Sequence, residues 1–261
     1  MDLQRITGLS PEQLTELTAR IHHKLGPLAR PGGRPAAIGL HASVALVTAL
    51  HRHNLTQDLA GALFNVSQPT VSRRWDLLRP LIATELAAFV LDPTETVGGS
   101  TVLVDGTLAP TWDWKHAEGM YSGKHQTTGF NLQIACTPAG DIAAIGPVPV
   151  PGSRHDAHAL TASGLADLIT DLDSTLGDKG YQAHVDISPA RKPPGGELSP
   201  EQEANNTVIN SFRAAVERAV AHLKNWRMLQ TRYRAPLAKF SEALSVIIGL
   251  YFFTRYFEAY E

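Results

Sequence analysis

The sequence predicts a mixed α/β (α+β) domain preceded by an all-α module. Three observations carry that expectation. Up to about residue 91 the apolar residues recur at helical spacing, and from Thr101 onward short β-branched runs end in aspartate followed by glycine or lysine-glycine. Between them the string DPTETVGGS is dense in turn formers and reads as a linker. The expected layout is therefore 1–92 for the helical domain, 93–100 for the linker and 101–261 for the α/β domain. At 261 residues the chain is long enough for two modules, and 43% apolar with 18% charged residues allows a sizeable core. Its single cysteine, Cys136, rules out an internal disulfide framework and fits a small buried hydrophobe in a reducing compartment.

A first helix is expected from about Ser10 to Gly26, followed by the breaker-rich loop LGPLARPGGRPAA. The segment Leu40 to His53 is a second. It leads into LTQDLAGALFNVSQPTVSRRWDLLRPL, where two short helical patterns flank Phe64-Asn65-Val66-Ser67. That is a helix-turn-helix candidate, with a plain helical hairpin as the competing reading. Leu55, Leu59 and Leu63 are expected to pack inward, Asn65 to take the left-handed turn conformation, Ser67 to cap the second helix, and Val71, Trp75 and Leu78 to continue the core face. Gln68, Thr70, Ser72, Arg73 and Arg74 remain as short polar and basic side chains suited to base edges and phosphates.

Past the linker, Thr101 to Thr107 reads as a strand ending in Asp105. Phe130 to Cys136 and Ile142 to Val150 form an antiparallel hairpin about the turn Thr137 to Asp141, and Asp156 to about Leu172 is helical. Ser174 to Asp178 is a short strand closed by Lys179-Gly180. Pro189 to Asn206 reads as an exposed loop, and helices from about Val208 to Gln230 and Pro236 to Tyr260 finish the chain. On a helical wheel Phe212, Val216, Ala219, Leu223 and Trp226 form one apolar stripe, with Asn210, Arg213, Glu217 and Lys224 in a polar sector away from it.

Asp105 and Asp178 each close a strand, where open α/β sheets place ligand sites; a turn-forming role is the simpler reading of each alone. With Glu217 they make three hard oxygen ligands of the kind that hold Mg²⁺ or Mn²⁺ beside substrate phosphates. His155 and His158 have a metal-like spacing, but no cysteine or further histidine cluster completes a zinc set. Ser153 or Asp156 is the expected cap of the helix that follows, and His155 a candidate substrate contact.

These residues resemble a family. VLVDGT with Asp105, LGDKGY with Asp178 and NSFRAAVERAVAHLK with Glu217 are similar to the Asp-Asp-Glu motif of insertion-sequence transposases, specifically insertion-sequence family five and the related Harbinger-type endonucleases. YSGKHQTTGFNLQIA, PGSRHDAHAL and the frontal SQPTVSR extend the likeness over nearly the whole chain. Arg213, Glu217 and Lys224 match the family's glutamate helix, whereas Asn210 stands where a tyrosine is usual.

The resemblance implies an RNase H-like catalytic domain behind the helix-turn-helix domain. It implies a transposase that binds the terminal inverted repeats of its own element and catalyses metal-dependent strand cleavage and transfer. Asp105, Asp178 and Glu217 would be the catalytic residues and the ligands of two Mg²⁺ or Mn²⁺ ions. Arg213, Lys224 and Lys179 join the helix-turn-helix residues as implied DNA contacts, and Trp112 and Trp114 are a conceivable base-stacking surface. Element ends and target would be double-stranded DNA, and holding two ends implies a homodimer or higher oligomer. Two alternatives stay open: an inactive DNA-binding descendant of a transposase, and a metal-dependent nuclease of another class.

The net charge of −2 does not advertise a nucleic-acid binder, yet Arg218 to Ser241 holds six Lys or Arg and no acid. MDLQRITGLSPEQLTELTARI lacks the apolar run of a signal peptide, and Leu244 to Phe253 is about half the length a bilayer demands. A cytoplasmic bacterial protein, nucleoid-associated when bound to DNA and with no membrane partner, is expected.

Overall fold

The structure is a computed structural model describing residues 2–28, 35–97, 99–112 and 117–257. By compactness the chain divides into two units: Met1–Val90 with Asn225–Thr231 and Ala235–Glu261, and Leu91–Lys224 with Arg232–Arg234. The closing helix therefore belongs to the helical unit, whereas the sequence grouped everything after residue 100 together.

The helical unit begins with α1 (Leu3–Thr7), α2 (Pro11–Leu25) and α3 (Leu40–His53). Ser10 and Gln13 form a reciprocal capping box at the start of α2, and Asn54 ends α3 in the left-handed conformation. Next come α4 (Gln57–Phe64) and α5 (Gln68–Leu86), joined by a turn in which Asn65 has φ +53°. A Cβ on Gly61 would lie 2.6 Å from the Val66 carbonyl oxygen, so the tight turn requires glycine there. Val71, Trp75 and Leu78 are buried as the periodicity predicts. Leu59 and Leu63 are not: both are exposed, and α4 instead turns Ala60 and Gly61 inward, because small side chains let α4 and α5 approach closely. Ser67 occupies the N-cap position of α5, but its hydroxyl pairs with that of Thr70 rather than with the helix amides.

The core of this unit contains an ordered polar stack. The His51 ring lies on Trp75 with centroids 4.6 Å apart, Arg79 covers Trp75, and the Arg79 guanidinium meets Glu242 at 2.7 Å.

The α/β unit opens with α6 (Pro93–Val97), where the sequence suggested only a linker; Val97 is buried in the core. Its sheet comprises β1 (Val102–Pro110), β2 (Tyr121–Ser122), β3 (Thr127–Cys136), β4 (Ile142–Ile145), β5 (Val150–Pro151) and β6 (Thr175–Gly177). Long β3 pairs antiparallel with β1 along one edge and with β2, β5 and β4 in turn along the other. On the far side β1 pairs parallel with β6, making the sheet mixed. α7 (Asp156–Ala162) and α8 (Leu165–Leu168) follow β5 and replace the single helix expected, Gly164 adopting the left-handed conformation between them. One sheet face packs Val102, Val104 and Ala135 against Leu160, Leu165 and Tyr181.

α9 (Pro200–Ser211) starts inside the segment read as a loop. The Ser199-Pro-Glu-Gln202 sequence there is a capping box, a signal the Pro- and Gly-rich surroundings obscured. The chain bends at Phe212 into α10 (Arg213–Lys224), which buries Ala215, Ala219 and Leu223 against β1 and β3. The helical unit is completed by α11 (Arg227–Gln230) and α12 (Phe240–Tyr256). The helical stretch Leu237–Tyr256 is long and apolar enough to cross a membrane by length and composition alone, but 61% of its most apolar window is buried. It packs on α5, with Gly249 against Leu86 so tightly that a Cβ would fall 2.5 Å from the leucine's own.

Candidate active site

Strand alternation places the two aspartates. Leu103 of β1 pairs with Leu176 of β6, and Val104 with Gly177. Counting one step further along parallel strands puts Asp105 level with Asp178, on the sheet face opposite the Val102 and Val104 core. α10 packs on β1, and a pocket of about 190 Å³ is lined together by Asp105, Asp178 and Glu217, with Lys124, Asn210 and Arg213. Residues separated by more than 100 positions thus share one concavity. Glu217 is exposed and makes no ion pair with Arg213, its neighbour one turn earlier on α10.

Burial is the first reason the Asp105 carboxyl titrates above its usual range; the neighbouring charges of Asp178 and Asp156 raise it further, opposed by the Gly106 amide and Lys124. Asp105 Oδ1 accepts from the Gly106 amide at 2.8 Å, and Asp178 Oδ1 from the Gly180 amide at 2.7 Å. Desolvation and the neighbouring negative charges both disfavour an ionised Asp105, and a divalent cation would relieve that cost. The donor set is hard oxygen and suits Mg²⁺ or Mn²⁺. As the chain stands, the three acids surround the pocket without converging: among the described residues no group of three His, Cys, Asp or Glu is gathered closely enough to hold an ion.

Asn131, Gln133 and Lys124 carried no role of their own in the sequence, and Asp156 only that of a helix cap. Asp156, on the first turn of α7, accepts from Asn131 Nδ2 at 3.0 Å and faces Lys124 Nζ at 3.3 Å. Asn131 accepts from Gln133 Nε2 at 2.8 Å, and Gln133 Oε1 accepts from the Tyr181 hydroxyl at 2.7 Å. Tyr181, Gln133, Asn131, Asp156 and Lys124 therefore form one chain of polar contacts behind the aspartates. Gly106 lies beneath it: a Cβ there would fall 2.6 Å from Gln133 Nε2 and 2.8 Å from Asp156 Oδ1. The available signal was FNLQIA, a buried strand that places two amides two residues apart on one face.

The helix is capped by His155, whose Nδ1 accepts from the His158 amide at 3.2 Å, rather than by Ser153 or Asp156. Tyr181 is packed, and burial drives its phenol far above the usual range. Cys136 is buried and its thiol is pushed up to about 12, which keeps it protonated and inert. Lys179 is exposed, with its carbonyl accepting from Arg191; Lys224 is half-buried, and burial lowers its ammonium's titration. Trp112 is exposed with the Arg234 guanidinium 6.0 Å over its ring, and Trp114 lies outside the described residues.

On α5, Gln68 and Arg73 are exposed and Ser72 and Arg74 half-buried. Thr70 is buried. Its hydroxyl accepts from Arg73 Nη2 at 3.2 Å, so within the unit it orients that arginine.

The family model described as DDE superfamily endonuclease matches residues 104–251, and the helix-turn-helix of DDE superfamily endonuclease matches residues 46–88. A protein assigned as transposase for insertion sequence element IS112 of Streptomyces albus G is 31% identical over 226 residues, 86% of this chain and 84% of that protein. One assigned as transposase for insertion sequence element IS702 of Microchaete diplosiphon is 24% identical over 270 residues, 95% of this chain and 92% of the other. No solved structure matches the chain.

Proposed function

The chain belongs to the DDE superfamily of endonucleases, among the insertion-sequence transposases, and from that premise we propose that it binds the terminal inverted repeats of its element and cleaves and transfers DNA strands there. The observation that carries the proposal is the single pocket lined by Asp105, Asp178 and Glu217. These three carboxylates are the residues that would hold one or two divalent ions, Mg²⁺ or Mn²⁺. When bound, such ions supply activation of water or a DNA 3′-hydroxyl and charge stabilisation for an in-line displacement at phosphorus.

The remaining roles fall to the chain itself. Arg213 lines the pocket and holds a phosphate oxygen beside the acids; Lys224 and Lys179 hold phosphates of the flanking DNA. The Gly106 and Gly180 amides hold one oxygen each of Asp105 and Asp178, leaving the second oxygen of each available to a metal ion. In the helical unit Gln68 and Ser72 meet base edges while Arg73 and Arg74 anchor phosphates, and Thr70 keeps Arg73 aimed. Holding two element ends at once calls for a dimer or larger assembly, and the protein acts in the bacterial cytoplasm on the nucleoid.

The test replaces Glu217 with glutamine, which keeps the shape and removes the charge. Supercoiled plasmid carrying the element ends is nicked by the unaltered chain with Mg²⁺ and left intact by E217Q; nicking by E217Q at the unaltered rate removes glutamate from the mechanism. The unconverged carboxylates favour one second reading, a DNA-binding descendant without cleavage. Duplex binding by the unaltered chain with no nicking in either metal selects it.

A further inference from the structure

A second concavity, of about 500 Å³, adjoins the acidic pocket and shares Gly106 and Lys124 with it. Residues 106–108 of β1 and Asn131 form one side; residues 122–125 and 152–156 form the others. Its charge differs from that of its neighbour. Among the described residues Asp156 is the only carboxylate lining it, and both oxygens are engaged, one by Asn131 and one by Lys124. That leaves the Arg154 guanidinium with no acidic partner among the described residues. The Arg154 main chain is fixed by its carbonyl, which accepts from Asn131 Nδ2 at 3.2 Å. His125 lines the same space, held below its usual titration by burial and by Lys124 and Lys224, so at neutral pH its imidazole is uncharged and carries one N–H to donate. A Cβ on Gly123 would meet nothing within 4 Å, which leaves that wall open to a ligand backbone.

An unneutralised arginine, a neutral ring donor and glycine walls suit a phosphate with its sugar, and the volume suits one nucleotide rather than a duplex. We propose that this concavity binds a nucleotide of a single DNA strand next to the phosphodiester in the acidic pocket, with Arg154 and Lys124 on its phosphate and His125 donating to it. The proposal rests on the reading of the acidic pocket as the cleavage site. Lys124 belongs to both pockets and therefore links the flanking phosphate to the carboxylates: a phosphate arriving there competes with Asp156 for the ammonium.

The experiment measures fluorescence anisotropy of a short labelled single-stranded DNA oligonucleotide with the full chain, in EDTA at slightly alkaline pH, across a KCl series. Arg154→Gln weakens binding by ~3–10-fold and lowers the salt slope by about 0.7, the loss of one single-strand phosphate contact. Arg154→Lys keeps the slope. His125→Ala weakens binding without moving the slope, because a neutral donor releases no counterion. Unaltered affinity and slope in both Arg154→Gln and His125→Ala overturn the proposal, as does absence of oligonucleotide binding by the unaltered chain. Both side chains are exposed, and melting temperatures matching the unaltered chain confirm that the variants fold. Plasmid nicking by Asp178→Asn separates the two readings. Its survival refutes the cleavage site, whereas its loss alongside unaltered oligonucleotide binding by both Arg154→Gln and His125→Ala refutes only the nucleotide subsite.

Discussion

Replacing Gly106 with alanine adds one methyl group at the point where the polar chain crosses β1. The new Cβ would sit 2.6 Å from Gln133 Nε2, 2.8 Å from Asp156 Oδ1 and 3.1 Å from Asn131 Oδ1. An exposed amide would swing aside, but Gln133 is fully buried and held at both ends, by the Tyr181 hydroxyl at 2.7 Å and by Asn131 at 2.8 Å. Making room therefore breaks one or two buried hydrogen bonds at about 1–3 kcal/mol each, for a total of about 2–4 kcal/mol. Asp156 is displaced with them, and its charge acts on Asp105. Equilibrium urea unfolding by circular dichroism measures the loss, with hydrogen exchange of the β1 and β3 amides locating it. Gly123→Ala, whose Cβ would meet open space, serves as the control and stays within about 0.5 kcal/mol of the unaltered chain. A Gly106→Ala variant as stable as that control, nicking plasmid at the unaltered rate, would refute the argument that the network needs a glycine beneath it.

Two further outcomes follow from the electrostatics. His51 is buried with Nδ1 donating to the Val47 carbonyl and Nε2 unpaired, and desolvation lowers its titration to about 3. The unfolded chain binds that proton near pH 6.5. The neutral ring's contribution is thus complete above pH 6.5 and declines as pH falls toward 3, by about 1.4 kcal/mol per unit and about 2.7 kcal/mol by pH 4.5. Urea midpoints of His51→Phe and the unaltered chain, compared between pH 7 and 4.5, check this; an equal decline in both refutes it. Asp178→Asn removes a like charge that acts on Asp105 while its remaining oxygen still accepts from Gly180, so the melting temperature rises by ~1–3 °C as nicking is lost. A lower melting temperature would show that Asp178 is held by structure rather than kept for chemistry.

The sequence by itself determined what short-range periodicity can encode. A left-handed Asn65 between two helical patterns marked the turn, and Asp105 and Asp178 stood out as acids closing strand-like runs; that they share a sheet face follows only from the parallel register of β1 and β6. The polar sector of α10 likewise put Glu217 and Arg213 on one side of their helix, and both line the pocket. Hydrophobicity alone misassigned Leu59 and Leu63, because which face of α4 turns inward depends on how closely α5 approaches, and that approach is set by Ala60 and Gly61. The capping box at Ser199 was legible but outvoted by its Pro- and Gly-rich setting.

Tertiary structure alone decided the rest. Asn131 meets Asp156 across 25 residues and Tyr181 meets Gln133 across 48, distances over which no periodic pattern carries information. The final helix, continuous in sequence with the α/β segment, belongs with the helical unit because its apolar surface runs nearly all round and needs a helical core to cover it. Local patterns set the direction in which a side chain leaves its own backbone; only the folded chain settles which distant groups stand in front of it.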